Sequence, residues 1–234
     1  MHCGDCVTTC PTNALTLEAG KVLWNSDKCV DCDTCIHTCT HLASPKIRYM
    51  SVEELVEQIK AKKAFLRGIT VSGGECMNHA AFLLDLFKKV KKLGLTCLID
   101  SNGYYDFSQY PQLMAVCDGV MLDVKAVDAK FHQYLTGCDN TMVLKNLAYL
   151  LHTQKLEEVR TVILPNQDEQ NEKTVRYVSE LLKQQSRYKL IRYRQYGVRE
   201  EGLKALGNTT VSQMYVAQYK QICEENGNTT SIII

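Results

Sequence analysis

Seven cysteines fall within the first 39 residues of this 234-residue chain, and their spacing limits what that segment can become. One run reads Cys29-Val-Asp-Cys32-Asp-Thr-Cys35-Ile-His-Thr-Cys39, two intervals of two residues and then one of three. The other reads Cys3-Gly-Asp-Cys6-Val-Thr-Thr-Cys10-Pro11 and closes on the same three-residue interval. A disulfide framework suits small secreted domains. This chain is not small, and it opens on Cys3 without the basic and apolar lead-in of a signal peptide. Short, regular spacing lets a loop aim several thiolates at one inorganic core. Two interlocked runs of this kind match [4Fe–4S] ligation better than any zinc spacing.

In a two-cluster, ferredoxin-like pattern the fourth cysteine of each run ligates the other cluster. Crossing the runs gives one cluster Cys10, Cys29, Cys32 and Cys35. The other receives Cys3, Cys6 and Cys39 and is one ligand short. Counting back three positions from Cys3 falls just before Met1, so we expect a chain that starts late. Ala14–Leu17 and Lys21–Trp24, around Gly20, read as a small hairpin between the cluster loops. His37 and His41 read as surface residues beside the clusters. Cys76, Cys97, Cys117, Cys138 and Cys223 are scattered and read as ordinary thiols.

Composition narrows the rest. Twenty-seven basic and 26 acidic residues leave a formal charge of +1, so nothing points to nucleic acid or an anionic membrane surface. No apolar run reaches the roughly 18 residues of a membrane span, and a cytoplasmic protein is expected. From Ser51 onward short apolar strands alternate with helices. Strands are predicted at 69–71, 96–99, 119–122, 159–164 and 189–192. Helices are predicted at 51–66, 80–93, 107–117, 140–153, 172–186 and 211–225. That alternation predicts an α/β fold with a parallel sheet or barrel, and a division into residues 1–48 and 49–234.

Polar motifs recur where those strands end. The first runs into Ser72-Gly73-Gly74-Glu75, the second into Asp100-Ser101-Asn102-Gly103 and the third into Asp123-Val124-Lys125. The fourth carries Arg160. Strand C-termini form the active face of α/β barrels, so these residues predict a site for a zwitterionic ligand bearing a nucleoside. Glu75 would hold an ammonium, Lys125 and Arg160 a carboxylate, and Asp123 or Asn102 ribose hydroxyls.

Taken in order, the cysteine runs, Ser72-Gly73-Gly74-Glu75, Asp100-Ser101-Asn102-Gly103, Asp123-Val124-Lys125 and Leu135-Thr136-Gly137 resemble the radical S-adenosylmethionine activases of glycyl radical enzymes. The resemblance is to the YjjW type, related to pyruvate formate-lyase activating enzyme, and runs from Cys3 to about Gly202. It implies a partial (β/α)6 barrel, here without its first strand, behind a two-cluster ferredoxin-like insert. It also implies S-adenosyl-L-methionine and [4Fe–4S] clusters as cofactors, a glycyl radical enzyme as protein substrate, and a flavodoxin- or ferredoxin-type electron donor. By this resemblance Gly73, Gly74 and Glu75 contact the methionine moiety, while Asp123, Val124, Lys125 and Arg160 hold the rest.

The sequence also departs from the family. No CxxxCxxC occurs, so no ligand loop for a radical-generating cluster is present, and this chain alone is expected to be inactive. Cys76 stands where relatives often have proline. Tyr193, Arg194, Gln195 and Tyr196 occupy the region of a late cofactor-contacting histidine. The competing expectation is a ferredoxin-like electron carrier fused to a barrel without radical chemistry.

Overall fold

The structure is a computed structural model that describes residues 3–40, 43–195, 198 and 200–234. The chain divides after Ser51 into two compact units, with 197–200 grouped with the first.

The first unit is built around a hairpin of β1 (Leu15–Glu18) and β2 (Lys21–Trp24), which pair antiparallel in the register Leu15 to Trp24. Short helices α1 (Asp5–Thr8) and α2 (Thr34–Thr38) flank it. Each helix opens from a residue in the left-handed region, Gly4 at φ 90° and Asp33 at φ 56°. Glycine adopts that conformation freely and aspartate tolerates it. The two halves therefore repeat one local plan, in which a cysteine, a left-handed residue and a helical turn follow in order. Leu15, Val22 and Cys35 form a small core, with Val7, Trp24 and Ile36 packed against it.

The second unit opens with α3 (Val52–Lys62), followed by one 3-10 turn. Five strands then alternate with helices: β3 (Gly68–Val71), α4 (Ala80–Lys91), β4 (Thr96–Ser101), α5 (Pro111–Val116) and β5 (Gly119–Asp123). The series continues through α6 (Ala129–Thr136), α7 (Thr141–His152), β6 (Leu156–Ile163), α8 (Asp168–Leu182) and β7 (Arg187–Arg192). Helices α9 (Glu200–Leu206) and α10 (Gln213–Glu225) precede a last strand, β8 (Ser231–Ile233).

The six strands of this sheet lie in the order β3-β4-β5-β6-β7-β8, and every pairing is parallel. Parallel crossovers have one hand, so an order that never reverses keeps its helices on one face, as in a barrel. Burial agrees. Cys97, Ile99, Val120, Leu122, Val159, Thr161, Ile163, Tyr188 and Leu190 point to the covered side and are fully buried. The alternate residues, among them Leu98, Asp100, Met121, Asp123, Arg160 and Lys189, are only half-buried. Parallel strands are ordinarily apolar on both faces, so charge on the second face marks where function sits.

Three elements differ from the sequence expectation. Strand β8 pairs with Tyr188–Leu190, in a stretch to which the sequence assigned no element. The expected helix over 107–117 is a 3-10 turn at Phe107–Gln109 and then α5, because Pro111 takes the first helical position and cannot continue a preceding helix. Helix α6 lies in a stretch to which the sequence assigned no element, capped by the Asp128 carboxylate at one end and left-handed Gly137 at the other. Among the described residues no helix is long and apolar enough to cross a membrane.

Candidate cluster sites and cofactor face

The first unit sorts the seven cysteines into two notches. One is lined by Cys10, Cys29, Cys32 and Cys35, with Ala14, Leu15, Trp24 and Lys46 around them. The other is lined by Cys3, Cys6 and Cys39, with Asp5, Val22 and Ile47. This is the grouping that crossed ligation requires. All seven are free thiols.

Local hydrogen bonds already favour thiolate at the four-cysteine notch. Burial opposes ionisation of Cys10, but hydrogen bonds from Thr12 and the Ala14 N–H, 3.3 Å from its Sγ, outweigh it and lower its pKa. Cys32 is lowered mainly by the Thr34 hydroxyl, which donates to its Sγ at 3.3 Å. Burial raises Cys35 and Cys6, and Cys6 also feels the charges of Cys3, Cys35 and Cys39. The Lys46 ammonium lies 2.8 Å from both the Asp31 and Asp33 carboxylates and braces the loop carrying Cys29 and Cys32. A soft, all-thiolate donor set in a partly apolar notch fits an iron–sulfur cluster. His37 is exposed beside these ligands, and His41 lies outside the described residues.

In the second unit Glu75 joins two strand ends. Its Oε1 accepts from the Met77 N–H at 3.0 Å and the Ser101 hydroxyl at 3.0 Å, and its Oε2 from the Asn102 N–H at 2.8 Å. A carboxylate has about four lone-pair sites, so one remains on Oε2. Gly73, at φ 115°, and Gly74 after it have nothing within 4 Å of where a Cβ would stand, so their backbone is open to close approach. Asn102 is exposed, with its Oδ1 accepting from the Tyr104 N–H at 2.9 Å. Asp123 and Lys125 form a half-exposed ion pair at 3.0 Å.

Two expected contacts are occupied within the fold. Val124 is fully buried; its N–H donates to the Arg160 carbonyl at 2.9 Å and its carbonyl accepts from Thr161 at 2.8 Å. It can contribute shape behind the site but not a polar contact. Arg160 is held at both ends, by Asp100 at 2.7 Å and by Glu158 at 2.7 Å. Its Nη2 also lies 3.1 Å from the Met121 sulfur, so three of its five N–H donors are engaged within the fold. Glu158 is itself buried and also receives Lys189 at 2.8 Å and Arg187 at 3.3 Å. Burial raises the Glu158 pKa, but Arg160 and Lys189 outweigh it and hold the carboxyl ionised.

Sequence reasoning missed Glu158 and Lys189. The available signal was charge at alternating positions within parallel strands. It also missed three buried asparagines that pin the loops after β4, β5 and β6. Asn146 donates to the Gly103 and Tyr105 carbonyls at 2.8 and 2.7 Å and accepts from the Phe107 N–H at 3.1 Å. Asn140 donates to the carbonyls of Ala126 and Val127 at 3.1 and 2.8 Å, and Asn171 brackets both backbone groups of Leu164. A cleft of about 420 Å³ is lined by Asn102, Tyr104, Lys125, His132, Thr136 and Met142, within the usual range for a bound small molecule.

Cys76 is buried, donates to the Asp100 carbonyl at 3.3 Å, and has its pKa pushed up to about 11 by burial and then by the charges of Glu75 and Asp100. Tyr193 is turned into the fold, with its hydroxyl on the Gly207 carbonyl at 3.0 Å, and Gln195 accepts from Thr210. Tyr196 lies outside the described residues.

Two family patterns match the chain. The Radical SAM superfamily pattern matches residues 28–178, and the 4Fe-4S dicluster domain matches residues 1–43. A glycyl-radical enzyme activating enzyme of Haemophilus influenzae is 31% identical in an alignment of 205 positions that covers 76% of this chain and 77% of that protein. The (2S)-3-sulfopropanediol dehydratase activating enzyme of Klebsiella oxytoca is 30% identical over 70% of this chain, and the match covers 54% of its own length. The chain thus spans about half of that relative. Among solved structures, a domain of pyruvate-formate lyase-activating enzyme from Bacteroides vulgatus shares the fold with a TM-score of 0.55 at 21% identity, covering 71% of this chain and 98% of that one. SuiB of Streptococcus suis shares it with a TM-score of 0.65 at 13% identity, covering 84% and 47%. On the extent of the superfamily match and the similarity to the Haemophilus protein, the chain belongs to the radical SAM superfamily and, within it, to the glycyl-radical-enzyme activating enzymes.

Proposed function

We propose that this chain is the cofactor-cradling and cluster-bearing body of an activase that places a radical on a glycine of a partner glycyl radical enzyme. Electrons would come from a flavodoxin- or ferredoxin-type donor. The observation that carries the reading is the uncovered, charged face of the parallel sheet, with Glu75, Asn102 and the Asp123–Lys125 pair at its strand ends. When bound, S-adenosylmethionine supplies the 5′-deoxyadenosyl group that removes hydrogen from the partner's glycine.

The chain's own residues bind and orient. The remaining Oε2 lone pair of Glu75 accepts from the methionine ammonium, and the open backbone at Gly73 and Gly74 lets that end approach closely. The Asp123–Lys125 pair is solvent-screened and weak, about 1 kcal/mol or less. Its partners can therefore be exchanged for the ligand's hydroxyls and carboxylate. Asn102 retains its amide N–H groups for a ribose oxygen. The Asp100–Arg160–Glu158–Lys189 ladder supplies fixed charge beneath the ligand. The residues present do not include a CxxxCxxC loop, so they do not fit a radical-generating cluster.

Equilibrium binding of radiolabelled S-adenosylmethionine to the full chain tests this. The unmodified chain is expected to retain the ligand, and Gly73→Val and Lys125→Ala are each expected to weaken it about tenfold, or roughly 1.4 kcal/mol. Retention by neither the chain nor its variants would favour the second reading, an electron-transfer protein fused to a barrel without radical chemistry. The complete four-thiol notch beside a missing CxxxCxxC is what keeps that reading in view.

A further inference from the structure

Trp24 is the chain's single tryptophan and the last residue of β2. Side chains alternate along a strand, so Trp24 shares a face with Val22, and its register partner across the hairpin is Leu15. Val22 and Leu15 belong to the small core against which the indole packs. Just beyond, the Asn25 N–H donates to the Ala14 carbonyl at 2.8 Å and fixes the end of the hairpin. Val22 lines the three-cysteine notch, and Trp24 lines the four-cysteine notch. The Arg48 guanidinium lies 5.5 Å from the indole centroid. A cation on the ring face draws density from the indole and strengthens its N–H as a donor.

The indole nitrogen can only donate, and a buried tryptophan N–H ordinarily has a partner. The Trp24 Nε1 is buried, yet among the described residues it has no hydrogen-bond partner, neither a carbonyl nor a cysteine sulfur. The other buried side-chain atoms left in that condition, on Gln170, Ser186 and Asn228, all lie in the second unit. A [4Fe–4S] core brings inorganic sulfides, inward of its thiolate ligands, as further acceptors. We propose that the Trp24 N–H donates to a sulfur of the cluster held by Cys10, Cys29, Cys32 and Cys35, and thereby favours the reduced form of that cluster. An added electron is shared with the sulfurs, and a hydrogen bond to one of them stabilises the extra charge. Asp31, 3.7 Å from the Cys29 sulfur, and the Asp33–Lys46 pair also stand beside this notch and stay constant in the test. The inference rests on the reading of this notch as a cluster site and asks nothing of the three-cysteine notch.

Because position 24 holds the only tryptophan, growth on tryptophan carrying nitrogen-15 in its indole labels this one side chain. The full chain is reconstituted anaerobically, reduced with titanium(III) citrate and studied by pulsed electron paramagnetic resonance. An isotropic nitrogen-15 coupling to the reduced cluster is expected, since it requires overlap through the hydrogen bond. Trp24→Phe keeps a ring and removes the donor; in a redox titration it is expected to make reduction of that cluster about fivefold less favourable. Iron content establishes loading, and Trp24 fluorescence is expected to fall as iron is taken up. A chain that loads iron but shows no nitrogen-15 coupling, or keeps its Trp24 emission, overturns the inference and leaves the cluster reading intact. A loaded Trp24→Phe protein with an unchanged midpoint overturns it as well. Should Trp24→Phe fail to load, the coupling in the labelled, unmodified chain decides. A chain that loads no iron overturns the cluster reading together with the inference.

Discussion

Asn146 satisfies three backbone groups of the loop after β4 with one uncharged side chain. Removing one partner of a buried hydrogen bond leaves the other unsatisfied at a cost of about 1–3 kcal/mol. Asn146→Ala is therefore expected to lower stability by about 2–4 kcal/mol, read as a fall in the urea midpoint; a change below about 0.5 kcal/mol would remove the clamp from the account. In the same loop the Lys145 ammonium, 2.7 Å from Asp106, lowers that carboxyl to about 2, with help from Ser108. A lowered folded pKa stabilises above the ordinary carboxylate range and loses that contribution as pH falls toward about 2. Asp106→Asn is expected to cost about 1 kcal/mol at pH 7 after screening by solvent, and nothing below about pH 2. Equal loss at both pH values in thermal melts would show that the charge is not the cause. These residues were illegible in the sequence because asparagine in a helix reads as solvated. Only the fold brings the strand-end backbone to it.

At the scale of elements, the cysteine loops were the most legible part, because two- and three-residue intervals leave few ways to turn thiolates inward. Anaerobic reconstitution is expected to load about four irons through the four-thiol notch and about eight where both notches fill. Cys35→Ala should remove about four. Iron analysis returning the same count for the variant would refute the grouping. The strands β3 to β7 were legible from short apolar runs. Strand β8 was not, since three residues at a chain end form no pattern of their own and depend on pairing with β7. Helix α6 was hidden by its length of only 8 residues, although its left-handed end stood in plain view as Leu135-Thr136-Gly137. Glu158 and Lys189 escaped because strands were read for apolar content, whereas a one-sided sheet carries its chemistry on the alternate residues.

For the whole molecule, the consecutive strand order matters more than any single motif. It gathers residues from β3, β4, β5 and β6, 85 positions apart between Glu75 and Arg160, at one side of one sheet. The motifs suggested that gathering because each followed a predicted strand. They did not reveal that Arg160 would already be held by Asp100 and Glu158, which depends on cross-strand neighbours. The buried asparagines carry one more consequence at this scale. A side-chain amide has no proton to gain or lose across the physiological range, so the loop frame keeps its shape through acid and alkaline excursions that alter the charged face above it. The Phe107 and Leu164 amides held by these side chains are therefore expected to exchange with deuterium as slowly as the interior of a strand, although neither lies in one.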